Sequence, residues 1–340
     1  MGLNTNSPFI AFGGKIDPIT DIRNLGIITS GDVYWVSNES DSDHRQRVND
    51  IGRAYVKNSV QAGIDATAND HNDYVLVIPQ DANAVWSVGT AVDLNKDRVK
   101  LLGVGYTRSK RSYTNTIRDS FGTTPDTEVL NVTGDGCEVA GLRFLGTVGT
   151  HAGGTRTNGC AFIQGLDFWA HDAVFEDSSN AWGTPPVVRG GGTAAHDARF
   201  DDCVFAVSGT GNVESAGNSG LVIGGDGNKR WIFNDSRFTL PAGSVTETFF
   251  TPGTGAKERT EFNRCYFGCV NGTSYLVTSA IRGSTTANSP ILVNHSTTLS
   301  VNAVGTDPNV FSVPNQSGTN GAGVHNPLEF MVGTSGNVVA

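Results

Sequence analysis

The sequence predicts an all-β solenoid, short strands wound into stacked coils of about 30 residues. Three observations predict it. Phenylalanine closes a recurring six-residue unit at positions 144, 175, 205, 238 and 267, in steps of 31, 30, 33 and 29 residues. Glycine makes up 43 of 340 residues and charged residues only 17 %, against usual shares of about 7 % and 25 %, a turn-rich composition. Only one segment, near the N-terminus, carries an apolar pattern of helical period.

The elements follow in chain order. Residues 1–30 read as an arm, in which Pro8, Gly13, Gly14 and Pro18 interrupt apolar pieces such as Phe9-Ile10-Ala11-Phe12. Asp32–Val36 reads as a strand. Ser40-Asp41-Ser42-Asp43 supplies helix N-cap residues. Behind it Val48, Ile51, Tyr55, Val60 and Ile64 recur at three- to five-residue steps. That spacing predicts one amphipathic helix over His44–Thr67, weakened by Gly52. The period then changes to two: Tyr74–Ile78 is a strand stopped by Pro79, and Val99–Val104 another, bounded by Gly103 and Gly105.

From about residue 129 each unit has two parts. The first is a short apolar run: Val129–Val132, Ala161–Ile163, Val187-Val188, Leu221–Ile223, Phe249-Phe250 and Tyr275–Val277. The second is an apolar residue, a polar pair, two further residues and phenylalanine. It reads Phe200-Asp201-Asp202-Cys203-Val204-Phe205, then Phe233–Phe238, then Phe262–Phe267, with weaker copies at Ala170–Phe175 and Val139–Phe144. Asp and Asn tolerate left-handed backbone and bond locally, so Asp201, Asn234 and Asn263 are expected at sharp corners between strands. Stacking coils about 4.8 Å apart puts each closing phenylalanine over the next. Loops of unequal length follow these phenylalanines, the longest being 146–159 and 206–220, which places the variable surface on one side.

Composition excludes several classes. No run of 18 apolar residues exists to form a spanning helix. A net charge of −9 disfavours nucleic acid, whose binding rewards basic surfaces. Met1–Asn6 lacks the basic start and apolar stretch of a secretory signal, which predicts a chain made and kept in a cytosol until released. Five cysteines without metal-site spacing read as free, buried thiols. Cys203 and Cys265 hold the same place in repeats separated by the Ser236 repeat, so roughly 10 Å parts them, beyond the reach of a disulfide.

The residues resemble those of the pectin-lyase-like superfamily of right-handed parallel β-helices. The resemblance covers about residues 32–295 and rests on the N-terminal amphipathic helix, Val77-Ile78-Pro79, Leu101-Leu102-Gly103-Val104-Gly105 and the Asp201, Asn234 and Asn263 corners. It implies a right-handed single-stranded parallel β-helix of about seven coils spanning 31–295, its open end capped by the helix at about 44–67. An extended arm (1–30) precedes it and a Gly/Asn/Pro-rich tail (296–340) follows.

Linear motifs for chemistry are sparse. Asp201-Asp202 is the only match to a polygalacturonase-like set, as a corner pair or, alternatively, a catalytic pair. Trp169-Ala170-His171-Asp172 reads as a corner and resembles a lyase stretch with its last two residues swapped; His196-Asp197 falls outside the phenylalanine register. Asp93-x-Asn95-x-Asp97 begins like a calcium loop, but Arg98 replaces the glycine and Val104 the closing glutamate. Gly224–Asn228 is one unrepeated fragment of a calcium-binding repeat. No metal and no cofactor is expected. Trp169, Trp182 and Trp231 can stack on sugar rings if exposed, or pack inside.

With no assembled catalytic motif, the chain reads as a non-enzyme resembling phage virion proteins of this fold. The first expectation is a capsid decoration or cement protein. It would clamp shell subunits through apolar residues of its arms, Phe9, Ile10, Phe12, Phe311 and Phe330, with itself (as a homotrimer) and the major capsid protein or other virion proteins as partners. The alternative is a tailspike that binds or cleaves host surface glycan. Neither nucleic acid nor membrane is an expected partner.

Overall fold

A computed structural model describes residues 31–39, 44–79, 85–104, 115–120, 128–146, 160–177, 187–191, 197–207, 220–223, 230–241, 248–251, 260–270, 279–282, 291–299, 311–312 and 324–325. Phe9, Ile10, Phe12, Trp182, His196, Gly224–Asn228, Tyr275–Val277 and Phe330 lie outside them, as does the side chain of Phe311.

The chain winds into a right-handed parallel β-helix with three sheets. The first holds β1 (Val33–Val36), β2 (Val56–Lys57), β3 (Tyr74–Val77), β6 (Lys100–Gly103), β9 (Glu138–Ala140), β12 (Trp169–His171), β15 (Ala198–Asp201), β18 (Trp231–Asn234), β21 (Thr260–Asn263), β24 (Ile291–Asn294) and β27 (Val324–His325). The second holds β4 (Val85–Val88), β7 (Thr116–Asp119), β10 (Arg143–Gly146), β13 (Val174–Asp177), β16 (Val204–Val207), β19 (Arg237–Pro241), β22 (Tyr266–Val270) and β25 (Thr297–Leu299). The third holds β5 (Val92–Leu94), β8 (Leu130–Val132), β11 (Ala161–Ile163), β14 (Val188–Gly190), β17 (Gly220–Ile223), β20 (Thr248–Thr251), β23 (Ser279–Arg282) and β26 (Phe311–Ser312). Strands β3 to β26 thus form eight three-strand rungs among the described residues.

The repeat register is the one the phenylalanines predicted. Phe144, Phe175, Phe205, Phe238 and Phe267 pair in register and stack inside the coil, with ring centroids 5.6, 5.6, 4.8 and 4.8 Å apart. A second column, Phe200, Phe233 and Phe262, stacks at 5.0 and 4.9 Å and meets the first edge-on. Cys203, Ser236, Cys265 and Ser296 form a buried column beside them; each serine hydroxyl accepts the N–H of the preceding cysteine, at 3.3 Å for Ser236 and 3.0 Å for Ser296. Cys137, Cys160, Cys203 and Cys265 are buried free thiols.

Three readings change. The predicted helix 44–67 is two helices, α1 (His44–Ile51) and α2 (Val60–Ala66), with β2 between them. Gly52 stops α1 in left-handed backbone (φ +99°), donating its N–H to Val48 O (3.0 Å). Ser59 then caps α2, accepting the N–H of Ala62 (3.1 Å). Only α2 enters the core, through Val60, Gly63 and Ile64; a Cβ on Gly63 would lie 2.8 Å from Val36 and Val75. Gln61 uses its carboxamide to satisfy the edge strand β5, accepting Asp93 N–H (2.8 Å) and donating to Asp93 O (3.3 Å).

Second, the corner turn falls one residue later than expected. Asp201, Asn234 and Asn263 end their strands, and left-handed backbone belongs to Asp202, Asp235 and Arg264 (φ +53°, +51° and +53°). Each turn residue donates its N–H to the strand-end carbonyl one rung on, as Asp202 does to Asn234 O (2.9 Å). β23 lies at Ser279–Arg282. Third, β26 and β27 extend the third and first sheets into the tail, whose prolines and glycines predict a break in the coil; their two-residue length fits between them. Strands β4, β5 and β7 lie where the sequence pattern predicts none.

Candidate functional site

In the first sheet side chains alternate inward and outward. Inward are Val75, Leu101, Val139, Ala170, Phe200, Phe233 and Phe262, all fully buried. Outward, one register column runs Lys100, Glu138, Trp169, Arg199, Ile232, Glu261. The other runs Ala140, His171, Asp201, Asn234, Asn263, Asn294. Trp169 is 37 % exposed, the one large hydrophobic residue on the surface among the described residues.

Its indole is held in place. Nε1–H donates to Asp201 Oδ2 (2.8 Å), which also accepts Arg199 Nε (2.7 Å). The Arg199 guanidinium lies over the indole at 5.9 Å, and the His171 ring centroid sits 4.4 Å from it, tilted by 34°. Asp201 Oδ1 accepts Asn234 Nδ2 (2.6 Å), and the chain continues with Asn263 donating to Asn234 (2.9 Å) and Asn294 to Asn263 (2.7 Å). This amide ladder has one polarity, because it ends on a carboxylate that can only accept.

On the other side of Trp169, His171 Nε2 meets Glu138 Oε1 (3.0 Å) and Nδ1 meets Asp172 Oδ2 (3.2 Å), while Lys100 Nζ meets Glu138 Oε2 (3.3 Å). Burial works against charge on His171, but hydrogen bonds to Asp172 and Glu138 and their negative charges outweigh it and raise the imidazole to about 9. Glu138 is likewise disfavoured as an anion by burial, yet the His171 hydrogen bond and the Lys100 charge hold it below the usual carboxylate range. The site is an indole face bordered by the His171 imidazolium, the Arg199 guanidinium and the Asp201 and Glu138 carboxyl groups, with Asp172 and Lys100 behind them.

Such a surface can stack the apolar face of a pyranose ring and hydrogen-bond its peripheral hydroxyls. Both oxygens of Asp201 and of Glu138 already accept hydrogen bonds, so these carboxylates act first as fixed charges that orient their neighbours.

The sequence candidates divide accordingly. Asp201 is in the site and Asp202 is the turn behind it, so the two adjacent aspartates do not form a facing pair. His171 ends β12 and points out, as the site's imidazole, while Asp172 takes the left-handed turn. Trp231 is buried at 1 % exposure inside the coil. Asp93 and Asp97 spend their carboxylates on Asn131 Nδ2 (3.0 Å) and on the N–H of Asp135 (2.8 Å) rather than on a calcium loop. A separate group, Asp32, His71 and Asp73, brings three potential metal-ligand atoms within 4.8 Å of one another. There Asp73 accepts the N–H groups of Asp32 (2.6 Å) and Ala68 (2.7 Å) and meets His71 Nδ1 (2.7 Å), contacts that tie together the turn before β3.

Linear motifs do not pick out Glu138, Arg199 or Lys100, although the sequence carries a signal for the first two. The steps between closing phenylalanines, applied to Trp169, land on Glu138 one coil back and on Arg199, Ile232 and Glu261 in the coils ahead.

No protein-family model matches the sequence, and no curated protein matches it. Solved structures do. One is a pectin methylesterase mutant in complex with a hexasaccharide, at 11 % identity and TM-score 0.51, over 83 % of this chain and 93 % of that one. Another is the pectin methylesterase from Aspergillus niger, at 12 % identity and TM-score 0.47, over 85 % and 88 %. A third is ORF18 of Geobacillus virus E2, at 13 % identity and TM-score 0.36, over 84 % and 64 %. At these identities a likeness establishes the fold alone, and the two with TM-scores under 0.5 carry no argument.

One expectation is corrected here. The lack of a linear catalytic motif predicts a non-enzyme, and a fold shared with a pectin methylesterase overturns that ground. The physical reason is that a coil assembles its sites across rungs. Glu138, His171 and Asp201 lie about 30 residues apart from one to the next and still border one indole, so a missing linear motif excludes nothing.

Proposed function

We propose that this chain is a phage virion protein of the host-recognition kind, whose β-helix binds a surface polysaccharide on the outer face of the first sheet. The observation that carries the binding reading is the exposed Trp169 ring, held by Asp201 and flanked by Arg199 and His171. An exposed aromatic locked by a hydrogen bond to its own scaffold loses little entropy on stacking a ligand. Of the two virion roles expected from the sequence, this is the spike-type one. The decoration role rests on Phe9, Ile10, Phe12, Phe311 and Phe330, whose side chains lie outside those described.

The test is calorimetry of the full chain against a panel of purified bacterial surface polysaccharides, with Trp169→Ala as the variant. A saturable partner whose affinity falls at least tenfold in Trp169→Ala, about 1.4 kcal/mol, with the circular dichroism spectrum unchanged, supports the reading. A panel without a ligand, or a ligand that ignores Trp169→Ala, overturns it. The number of copies per particle, by quantitative mass spectrometry, separates the two virion roles: a few copies fit recognition, and a number near that of the major shell protein fits decoration.

A further inference from the structure

The first sheet carries a second apolar cluster on its outer surface, opposite the core. Val33, Tyr74 and Leu76 are buried there at 1 %, 8 % and 3 % exposure, with Trp35, Leu102 and Val104 packed against them. The inward residues of the same strands, Val36, Val75, Val77 and Leu101, belong to the coil interior. The apolar character is local. Along one register column the outward residues run Trp35, Leu76, Leu102 and Ala140, and then His171, Asp201, Asn234 and Asn263. A sheet face that is apolar over its first strands and polar beyond them has a cover at that end only.

No described helix supplies that cover. α2 belongs to the opposite side, with Val60 and Ile64 in the interior cluster, and α1 buries none of its residues. The chain that reaches β1 from residues 1–30 enters at the cluster's own edge. Asp32 is pinned by its N–H to Asp73 Oδ1 (2.6 Å), and Gly31 needs φ +96° beside Asn72 O, where a Cβ would lie at 2.2 Å. The entry point is therefore fixed, one residue before Val33. Thirty residues span up to about 100 Å when extended, far more than the roughly 15 Å across the first few strands. The segment carries Phe9, Ile10 and Phe12, apolar residues that the candidate site does not use. Finally, Trp35 Nε1 is buried without a hydrogen-bond partner, a donor that the carbonyl of an incoming extended segment would satisfy.

We propose that the N-terminal arm, residues 1–30, packs in cis over this outer apolar face, covering Trp35, Leu76, Leu102 and Val104. The arm is then an intramolecular strap on the first strands of the coil. This stands apart from the glycan-binding reading, since the covered face ends before the Trp169 rung.

The experiment uses the full chain with the photo-crosslinker benzoylphenylalanine placed at Leu102 and, separately, at Val104, both only partly buried. After irradiation, peptide mapping identifies the attached segment, and mixing light and ¹⁵N-labelled chains separates attachment within one chain from attachment between two. The expected result is a crosslink to a peptide from residues 1–30 within the same chain. Its yield should be independent of protein concentration and fall about fivefold or more in the Phe9→Asp, Ile10→Asp, Phe12→Asp triple variant. Mixed-isotope crosslinks would mean a second copy covers the face. A crosslink to residues 105–114 would mean the segment after Val104 does. Either result, or no crosslink from either position, overturns the proposal.

Discussion

Truncating Phe238 to alanine tests the stacked interior most directly. The ring is fully buried and lies between Phe205 and Phe267, at 4.8 Å from each, with Phe233 and Phe262 edge-on at 5.3 and 5.8 Å. Removing a buried phenylalanine costs about 3–5 kcal/mol, more where the site cannot collapse. Parallel rungs on both sides hold the backbone at strand spacing, so the cavity persists and the cost lies near the upper end. Phe144 offers an internal comparison. It is equally buried but has an aromatic partner on one side only, Phe175, and Ile117 on the other. Its truncation should cost less by at least the worth of one aromatic pair, about 0.5–1.5 kcal/mol, since Phe238 has the stacked partner that Phe144 lacks and two edge-on ones besides. Phe162, which faces outward under Arg189, should cost about 1 kcal/mol or less. The assay is guanidinium-induced unfolding followed by far-ultraviolet circular dichroism, with unfolding rates as the measure if refolding is incomplete. A loss under about 1 kcal/mol for Phe238→Ala, or one no larger than for Phe162→Ala, refutes the stacking argument.

Other perturbations follow from the same structure. Asn263→Asp places a carboxylate oxygen against Asn234 Oδ1, and the ladder cannot reverse because Asp201 only accepts; chemical denaturation should show a loss of about 1–2 kcal/mol at pH 7, shrinking at a pH low enough to protonate the new acid. His171 is raised in the folded state, so its stabilising share is complete below its unfolded value and is lost as pH rises through about 9. His171→Asn should therefore flatten the stability profile between pH 7 and 10, and an NMR titration in which the His171 resonance, assigned by its loss in that variant, has its midpoint near 6.5 would contradict the ion cluster. Burial pushes the Cys137 and Cys265 thiols up to about 12, so an aromatic disulfide reagent should leave both unlabelled in the folded chain at pH 8 and label both after unfolding, as read by peptide mapping. Cys265→Ser should cost under about 1.5 kcal/mol in urea unfolding, because Ser236 and Ser296 already occupy equivalent places in that column.

Legibility in the sequence tracked the range of the interaction. Phenylalanine spacing revealed the coil because successive middle rungs bury a large residue at the same place, which imprints a period on the chain. The Asp/Asn corners were visible for the same reason, but their phase was not. The amide ladder occupies the strand end and leaves the left-handed turn to Asp202, Asp235 and Arg264, and only hydrogen bonds between rungs decide between those two adjacent polar positions. The predicted long helix failed at Gly52, where amphipathic spacing continues but β2 pairs with β1 instead. β4, β5 and β7 were missed because the early rungs lack the phenylalanine signature; Ile117 and Trp86 hold that register place.

Period, corner chemistry and the phenylalanine column were thus determined by the sequence alone, since each repeats from coil to coil over the middle rungs and follows from strand geometry. Which residues share a surface was decided only by the tertiary structure. Glu138, Trp169, Arg199 and Asp201 come from three rungs, and the pairing register alone brings them to one indole. In a parallel coil the neighbour that matters is about 30 residues away, so contact chemistry is written across the rungs and not along the chain.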